Sequence, residues 1–226
     1  MSSQPNSYEG FGYNVFPLTD SSLLWRSVGV MECTFACVLL ILCLPIFGFV
    51  CLITFFLSRR SPLVAHRRVG KNGREIWVFK LRTMWCRQPG RWSRLELIEY
   101  LSRDIVPDCK PKSDPRVTSS FAAFCRKYSI DELPQLWLVA RGEMSVVGPR
   151  PLTRGELAEH YGPDAARLLR MKPGLTGLWQ IRGRSNLNYR QRRRLDMFML
   201  KKWSLALYAT ILVASVPKVL SGKDAW

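Results

Sequence analysis

From Cys33 to Leu57 the chain runs 25 residues without a charge, between Glu32 on one side and Arg59-Arg60 on the other. A straight helix of that length would be about 37 Å long, enough to cross a hydrocarbon core of about 30 Å. Pro45 stands at the centre of the run with twelve residues on each side. It lacks a backbone N–H and crowds the preceding turn, so a kink or break is expected there. One reading is a kinked helix that spans the bilayer. Another is a helix that dips in, turns at Pro45 and returns to the same face, since each half, at about 18 Å, is too short to span. The basic residues after Leu57 place the C-terminal side in the cytoplasm by the positive-inside rule. A buried helix of a soluble core is the plain alternative.

Downstream the pattern changes. Residues 64–69 and 75–82 read as two strands around the Asn72-Gly73 turn, carrying cations that include Lys80 and Arg82. Their cationic face is either solvated or phosphate-binding. A short helix is expected near Arg94 to Leu101. After the turn at Asp114-Pro115-Arg116, another follows, capped by Thr118 or Ser119 and ending near Lys127. Ser129 followed by Glu132, ahead of the apolar run Leu136 to Val139, predicts a helix start with a capping box. Residues 154–170 are helical in pattern, with a break around Gly162-Pro163. A basic helix is expected over Tyr189 to Lys202, and an apolar one over Trp203 to Val219. The latter suits either the membrane interface or the soluble core. Residues 1–25 read as a polar flexible tail without the basic n-region of a cleavable signal peptide.

Composition narrows the partners. The 34 Lys and Arg outnumber the 17 Asp and Glu, for a net charge of +17. That excess calls for a polyanion: nucleic acid, anionic lipid or phosphorylated substrate. No helix-turn-helix, RNP-type or zinc pattern appears, which argues against a membrane-tethered nucleic-acid-binding protein. Four of the seven Cys lie inside the apolar run as small hydrophobes, and no zinc spacing is present.

The candidate chemistry sits at Asp131-Glu132. In the first turn of a capped helix, two carboxylates would meet free N–H groups and the positive end of the dipole, which keeps them ionised. The same end attracts phosphate. Such an Asp could be a nucleophile and its Glu neighbour a metal ligand, or both could merely complement the dipole. Arg150, held extended between Pro149 and Pro151, is a rigidly presented cation suited to bidentate phosphate binding. The glycine-rich stretch from Lys172 to Arg184 is a further plausible phosphate cradle, though not a P-loop.

Five motifs appear in order: Phe79-Lys80-Leu81-Arg82-Thr83-Met84, Asp131-Glu132-Leu133-Pro134-Gln135, Gly142-Glu143-Met144-Ser145, Gly148-Pro149-Arg150-Pro151 and Lys172-Pro173-Gly174-Leu175-Thr176-Gly177. Together they resemble the bacterial sugar transferases, monotopic phosphoglycosyl transferases that load a sugar-1-phosphate onto polyprenyl phosphate. Ala65 to Gly70 resembles the exopolysaccharide branch. The resemblance covers residues 26–226.

It implies an α+β protein, mainly α-helical with a small β-hairpin. Residues 1–25 would be a tail, 26–60 a re-entrant membrane helix broken at Pro45, and 61–226 a catalytic domain with interfacial helices. The location would be the cytoplasmic face of a bacterial inner membrane, and oligomers are possible. The resemblance further implies that Asp131 attacks the sugar-bearing phosphate of a UDP-sugar, releasing UMP. Polyprenyl phosphate would then take the phosphosugar from Asp131. Glu132 would ligate Mg²⁺, and Lys80, Arg82, Arg116, Arg150 and Arg184 would hold phosphate oxygens. An inactive scaffold relative is the alternative that the intact Asp131-Glu132 pair argues against. Three positions depart from the family pattern: Leu44 replaces a Ser before Pro45, Glu32 an Asp, and Tyr208 another Asp, whose role would be lost.

Overall fold

The computed structural model describes residues 23–85, 117, 119–183 and 187–222. Residues 1–22 of the tail expected over 1–25 lie outside them, whereas 23–25 are helical; the helix expected near Arg94 to Leu101 lies outside too, as do Arg116, Thr118 and Arg184.

Helix α1 spans Leu23–Ser58 and is the one described helix long and apolar enough to cross a membrane. It is already helical at Leu23, ahead of the expected boundary at residue 26, and Trp25 stacks on Trp203 with centroids 5.2 Å apart. It continues through Pro45 as a single helix rather than ending there. Its buried residues are Glu32, Ala36, Val50 and Thr54. Those spacings fall close to whole turns of 3.6 residues, so they form one stripe along the helix. The rest of its surface is apolar and open, including Phe35, Ile41, Leu42, Ile46 and Phe49.

The expected hairpin is present. Strands β1 (Leu63–Val69) and β2 (Glu75–Leu81) pair antiparallel, with Val64 opposite Lys80 and Val69 opposite Glu75. Asn72 and Gly73 both take positive φ at the turn (56° and 77°), which the short polar side chain of Asn and the missing Cβ of Gly allow. Helix α2 (Ser120–Lys127) follows, with the Ser119 side chain accepting from the Phe121 N–H. A 3-10 turn (Ile130–Gln135) then leads into α3 (Leu136–Ala140).

The capping box expected at Ser129 does not form. Ser129 adopts the left-handed conformation (φ 57°) and its side chain caps nothing, while its carbonyl accepts from the Glu132 N–H at 3.0 Å. Pro134, lacking an N–H, fits the tight 3-10 geometry better than an α-helical interior. Capping boxes occur elsewhere, at Thr153 with Glu156 and at Asn188 with Gln191.

A second sheet is absent from the sequence pattern. Strands β3 (Ser145–Val147) and β4 (Gly174–Thr176) pair in parallel, and three residues each are too few to show alternation. Between them runs an irregular helical segment: α4 (Arg154–Glu156), a π turn (Leu157–Tyr161), a 3-10 turn (Gly162–Asp164) and α5 (Ala165–Leu168). The break is where the sequence places it, at Gly162 with φ 49°. Helices α6 (Leu178–Arg182), α7 (Tyr189–Lys201) and α8 (Leu205–Ser221) complete the fold.

Within the 172–184 stretch, Gly174 serves a close backbone crossing with Gly148. A Cβ at Gly174 would meet the Gly148 nitrogen at 2.1 Å, and one at Gly148 would meet the Lys172 carbonyl at 2.5 Å. Only glycine lets β3 and β4 approach this closely.

The core is continuous with α1. Ala36 packs with Ile76, Val78, Leu136, Leu138, Val139 and Met144, and Val50 packs with Leu81 and Cys125. Helix α8 answers both of its readings, since Ile211 and Ser215 are buried while Leu212, Val213, Val216 and Leu220 are exposed. Gly174→Ala should destabilise the fold by about 2 kcal/mol or more, the usual cost of an overpacked site. Thermal unfolding of the detergent-solubilised protein would register this as a lowered Tm.

Candidate active site

The 3-10 turn and β2 bring the chemistry together. Asp131 and Glu132 open the turn, and Lys80 sits near the end of β2, where its Nζ donates to Glu132 Oε1 at 2.7 Å. Arg150, between its two prolines, places Nη1 3.9 Å from the same oxygen. Lys80 and Arg150 therefore meet at one carboxylate, as a site for an anion would need. Arg82 lines the same cavity, with its Nε donating to the Ser61 carbonyl at 2.6 Å. Arg116 and Arg184 lie outside the described residues.

These groups border a cavity of about 460 Å³. Its wall carries six cations, Arg68, Lys80, Arg82, Arg126, Arg150 and Arg192, against the carboxylates Asp131, Glu132 and Glu156. The surplus favours a polyanionic occupant, such as a diphosphate.

Burial, more than helix-end N–H groups, governs the ionisation of Asp131. Asp131 is only 9% exposed. Burial, and then the adjacent Glu132, push its pKa up to about 6 against the pull of Lys80, Arg126 and Arg150. The turn is too short and too buried for dipole stabilisation to win.

The far wall was not legible as a site. Glu156 accepts from Arg68 Nη1 at 2.8 Å, the Thr153 N–H at 2.7 Å and the Tyr189 hydroxyl at 3.2 Å. Burial opposes its ionisation, but the Thr153 groups and Arg68 outweigh that and hold its pKa below the usual range. The Arg192 guanidinium lies over Trp179 at 4.7 Å and Tyr189 at 5.0 Å. Tyr189 and Arg192 are three apart on α7, so they share a face. The Thr153-x-x-Glu156 spacing and that i, i+3 pair were the available signals.

Behind this wall Asp196 is fully buried, and the Tyr161 hydroxyl donates to its Oδ2 at 2.6 Å. Burial pushes its pKa up to about 7, despite Tyr161 and Arg192.

Away from the cavity, Glu32 ties α1 to the domain. Its Oε1 accepts from Ser145 Oγ (2.6 Å), the Val146 N–H (2.8 Å) and the Tyr208 hydroxyl (2.8 Å). Tyr208, read from sequence as a lost acid, is thus a hydrogen-bond donor to the buried carboxylate of α1.

Glu132 and Asp131 also bear on a metal. Mg²⁺ characteristically takes one or two carboxylates, with substrate phosphates and water completing its shell. Two adjacent acids beside a cation-lined cavity suit a Mg²⁺ carried on a diphosphate. Among the described residues no cluster of three or more acidic, His or Cys side chains forms a closed metal cage.

Comparison with known proteins agrees with the motifs. The bacterial sugar transferase family matches residues 25–222. The chain is 41% identical to a UDP-galactose-lipid carrier transferase of Erwinia amylovora over 183 residues, 77% of this chain and 37% of that protein. It is 39% identical to the exopolysaccharide production protein ExoY of Rhizobium meliloti, over 84% of both chains. It is likewise 39% identical to an undecaprenyl-phosphate galactose phosphotransferase of Salmonella typhimurium, over 73% of this chain and 34% of that one. The chain belongs to the bacterial sugar transferase family. It spans little more than a third of the Erwinia and Salmonella proteins, whereas ExoY has a comparable length.

Because the folded pKa of Asp196 exceeds its ordinary value near 4, the folded state holds a proton that the unfolded chain releases between about pH 4 and 7. Its contribution to stability is present below pH 4 and lost as pH rises to about 7. Asp196→Asn should flatten that decline, read as Tm against pH.

Proposed function

We propose that this chain is a phosphoglycosyl transferase moving a sugar-1-phosphate from a UDP-sugar to polyprenyl phosphate, as the first step of exopolysaccharide or related glycan assembly. The observation that carries the reading is Asp131, buried against Glu132 in a cavity walled by six cations, on a domain seated along an apolar helix. The names of the relatives, which include an undecaprenyl-phosphate glucose phosphotransferase of Komagataeibacter xylinus, support the substrate class.

In the first half-reaction an Asp131 Oδ attacks the phosphorus bonded to the sugar. The bond from that phosphorus to the bridging oxygen breaks, and UMP departs with the bridging oxygen. In the second, an oxygen of polyprenyl phosphate attacks the same phosphorus. The bond to Asp131 breaks, which restores the carboxylate and gives a polyprenyl diphosphosugar. Each phosphorus ends with the ligands it needs, and no redox partner is required.

Lys80 and Arg150 neutralise phosphate charge, Arg82 adds a third cation, and Glu132 anchors Lys80 until substrate competes for it. Glu132, with Asp131, would hold Mg²⁺, which when bound screens the diphosphate and stabilises the departing UMP. A covalent intermediate on Asp131 predicts ping-pong kinetics.

Association with one leaflet is part of the same proposal. The domain touches α1 at Glu32 and Ala36 and again at Val50 and Thr54, about 27 Å along the axis by helical rise. A helix crossing a bilayer of about 30 Å would have to leave the domain over that distance. A helix lying along the domain, with its open apolar face in lipid and Pro45 at its deepest point, avoids the conflict. It keeps the site on the cytoplasmic face, where a lipid phosphate and a soluble nucleotide sugar meet.

Purified full-length protein in nanodiscs, given a panel of UDP-sugars with and without undecaprenyl phosphate, tests the reaction through UMP release. Asp131→Asn should lower both the UMP burst and the transfer by roughly three orders of magnitude or more. Its membrane association should be unaltered. Full activity in that variant removes Asp131 as nucleophile. Glu132→Ala should shift the Mg²⁺ titration to higher concentration and reduce the rate together, and an unchanged titration would exclude the metal role.

A further inference from the structure

Beside the catalytic cavity lies a second, apolar one of about 310 Å³. Leu44 and Phe47 border it from α1 on either side of Pro45, with Phe79 from β2, Leu133 and Pro134 from the 3-10 turn, and Trp137 from α3. We propose that this groove holds the first isoprene units of the polyprenyl acceptor, whose phosphate enters the adjoining cationic cavity. The assignment rests on the transfer reaction proposed above and names the protein surface that takes the lipid tail.

The argument is one of shared walls. Successive side chains of a strand point to opposite faces, so Phe79 lines the groove and Lys80, the next residue, lines the catalytic cavity. The turn divides in the same way: Asp131 and Glu132 line the cavity, and Leu133 and Pro134 the groove. A ligand with a phosphate joined directly to an apolar chain matches this junction, polar on one side and greasy on the other.

The outer end of the groove is open to lipid. Leu44 is 66% exposed and Trp137 51%, and Leu44 continues into the open apolar face made by Ile41, Leu42 and Ile46. A chain leaving the groove would run into the bilayer without crossing polar protein, so the groove can select the first units and leave the rest in the membrane. A diacyl phospholipid would have to fit two chains and an esterified headgroup at the same junction.

Pro45 gains a role from this. Placed between Leu44 and Phe47, it removes one backbone N–H from the helix at the depth where the tail packs.

Photo-crosslinking tests the placement without relying on turnover. Full-length protein in nanodiscs is irradiated with farnesyl phosphate carrying a terminal diazirine, and the labelled peptides are identified by mass spectrometry. Label is expected in residues 40–47 and 133–137, displaced by undecaprenyl phosphate and not by phosphatidylglycerol. Label elsewhere overturns the assignment. Displacement by phosphatidylglycerol would show a phospholipid chain in the groove and would overturn it too.

Kinetics supply the second arm. Trp137→Ala, which opens the groove, and Leu44→Trp, which fills it, should each raise KM for undecaprenyl phosphate about tenfold, the effect of losing one good apolar anchor. The UMP burst seen before acceptor is added should keep its amplitude. An unchanged acceptor KM in both variants overturns the groove while leaving the transferase reading intact. Absence of a UMP burst in the unmodified protein overturns the transferase reading, and the crosslinking map then judges the groove by itself.

Discussion

Two adjacent carboxylates in one buried turn repel each other and lose hydration, and the site depends on how that cost is offset. Lys80 and Arg150 converge on a single oxygen of Glu132. They come from segments far apart in the chain, a β-hairpin and a proline-framed loop, so the carboxylate pair holds the two halves of the cavity in register. Coulomb attraction in a partly desolvated wall is stronger than at the surface, yet it is large enough to matter only when the charges are fixed. Here they are fixed by a strand on one side and by Pro149 and Pro151 on the other. Asp131, deeper and without a direct ion pair to match, carries the unfavourable remainder as a raised pKa.

The far wall solves a related problem differently. Arg192 is almost fully buried and lies over two aromatic rings, Trp179 and Tyr189. A guanidinium is weakly hydrated and stacks on aromatic faces, so it tolerates such a place where an ammonium would not. Arg68 is held by Glu156, which is held in turn by the Thr153 cap. The positive face of the cavity is therefore built before any anion arrives, and little reorganisation is needed on binding.

Helix α1 sets an open apolar surface beside the cavity. It buries one stripe against the domain and leaves an apolar surface too large for a soluble monomer to expose without purpose. Its buried Glu32 is satisfied by three donors from β3 and α8, which fixes the helix in position and in rotation about its axis. Rotation matters because it decides which residues face the groove near Pro45 and which face lipid.

Much of this was open to reading along the chain. The uncharged run, the Asn72-Gly73 hairpin, the cap at Ser119, the break at Gly162 and the helices after Asn188 follow from periodicity and local chemistry, which act over a few residues. The choice of Asp131, Glu132, Lys80, Arg82 and Arg150 came from ordered motifs, and the fold brings all five to one cavity. What local rules misjudged was whatever a neighbour from elsewhere in the chain decides. Ser129 has the spacing of a capping box, but Pro134 and the packing of Leu136 favour a 3-10 turn, and burial then reverses the expected ease of ionising Asp131. The close crossing of the Gly148 and Gly174 backbones could not be read from either stretch by itself. Tyr208 and Glu32 look like two departures from a pattern and prove to be one hydrogen bond. The sequence alone determined most of the elements, the charge and the candidate carboxylates and cations of the site, because those depend on residue type, short spacing and ordered motifs. Only the tertiary structure decided the electrostatics of the carboxylates, the aromatic–arginine wall and the apolar groove, because desolvation and packing are set by residues that meet only after the chain has folded.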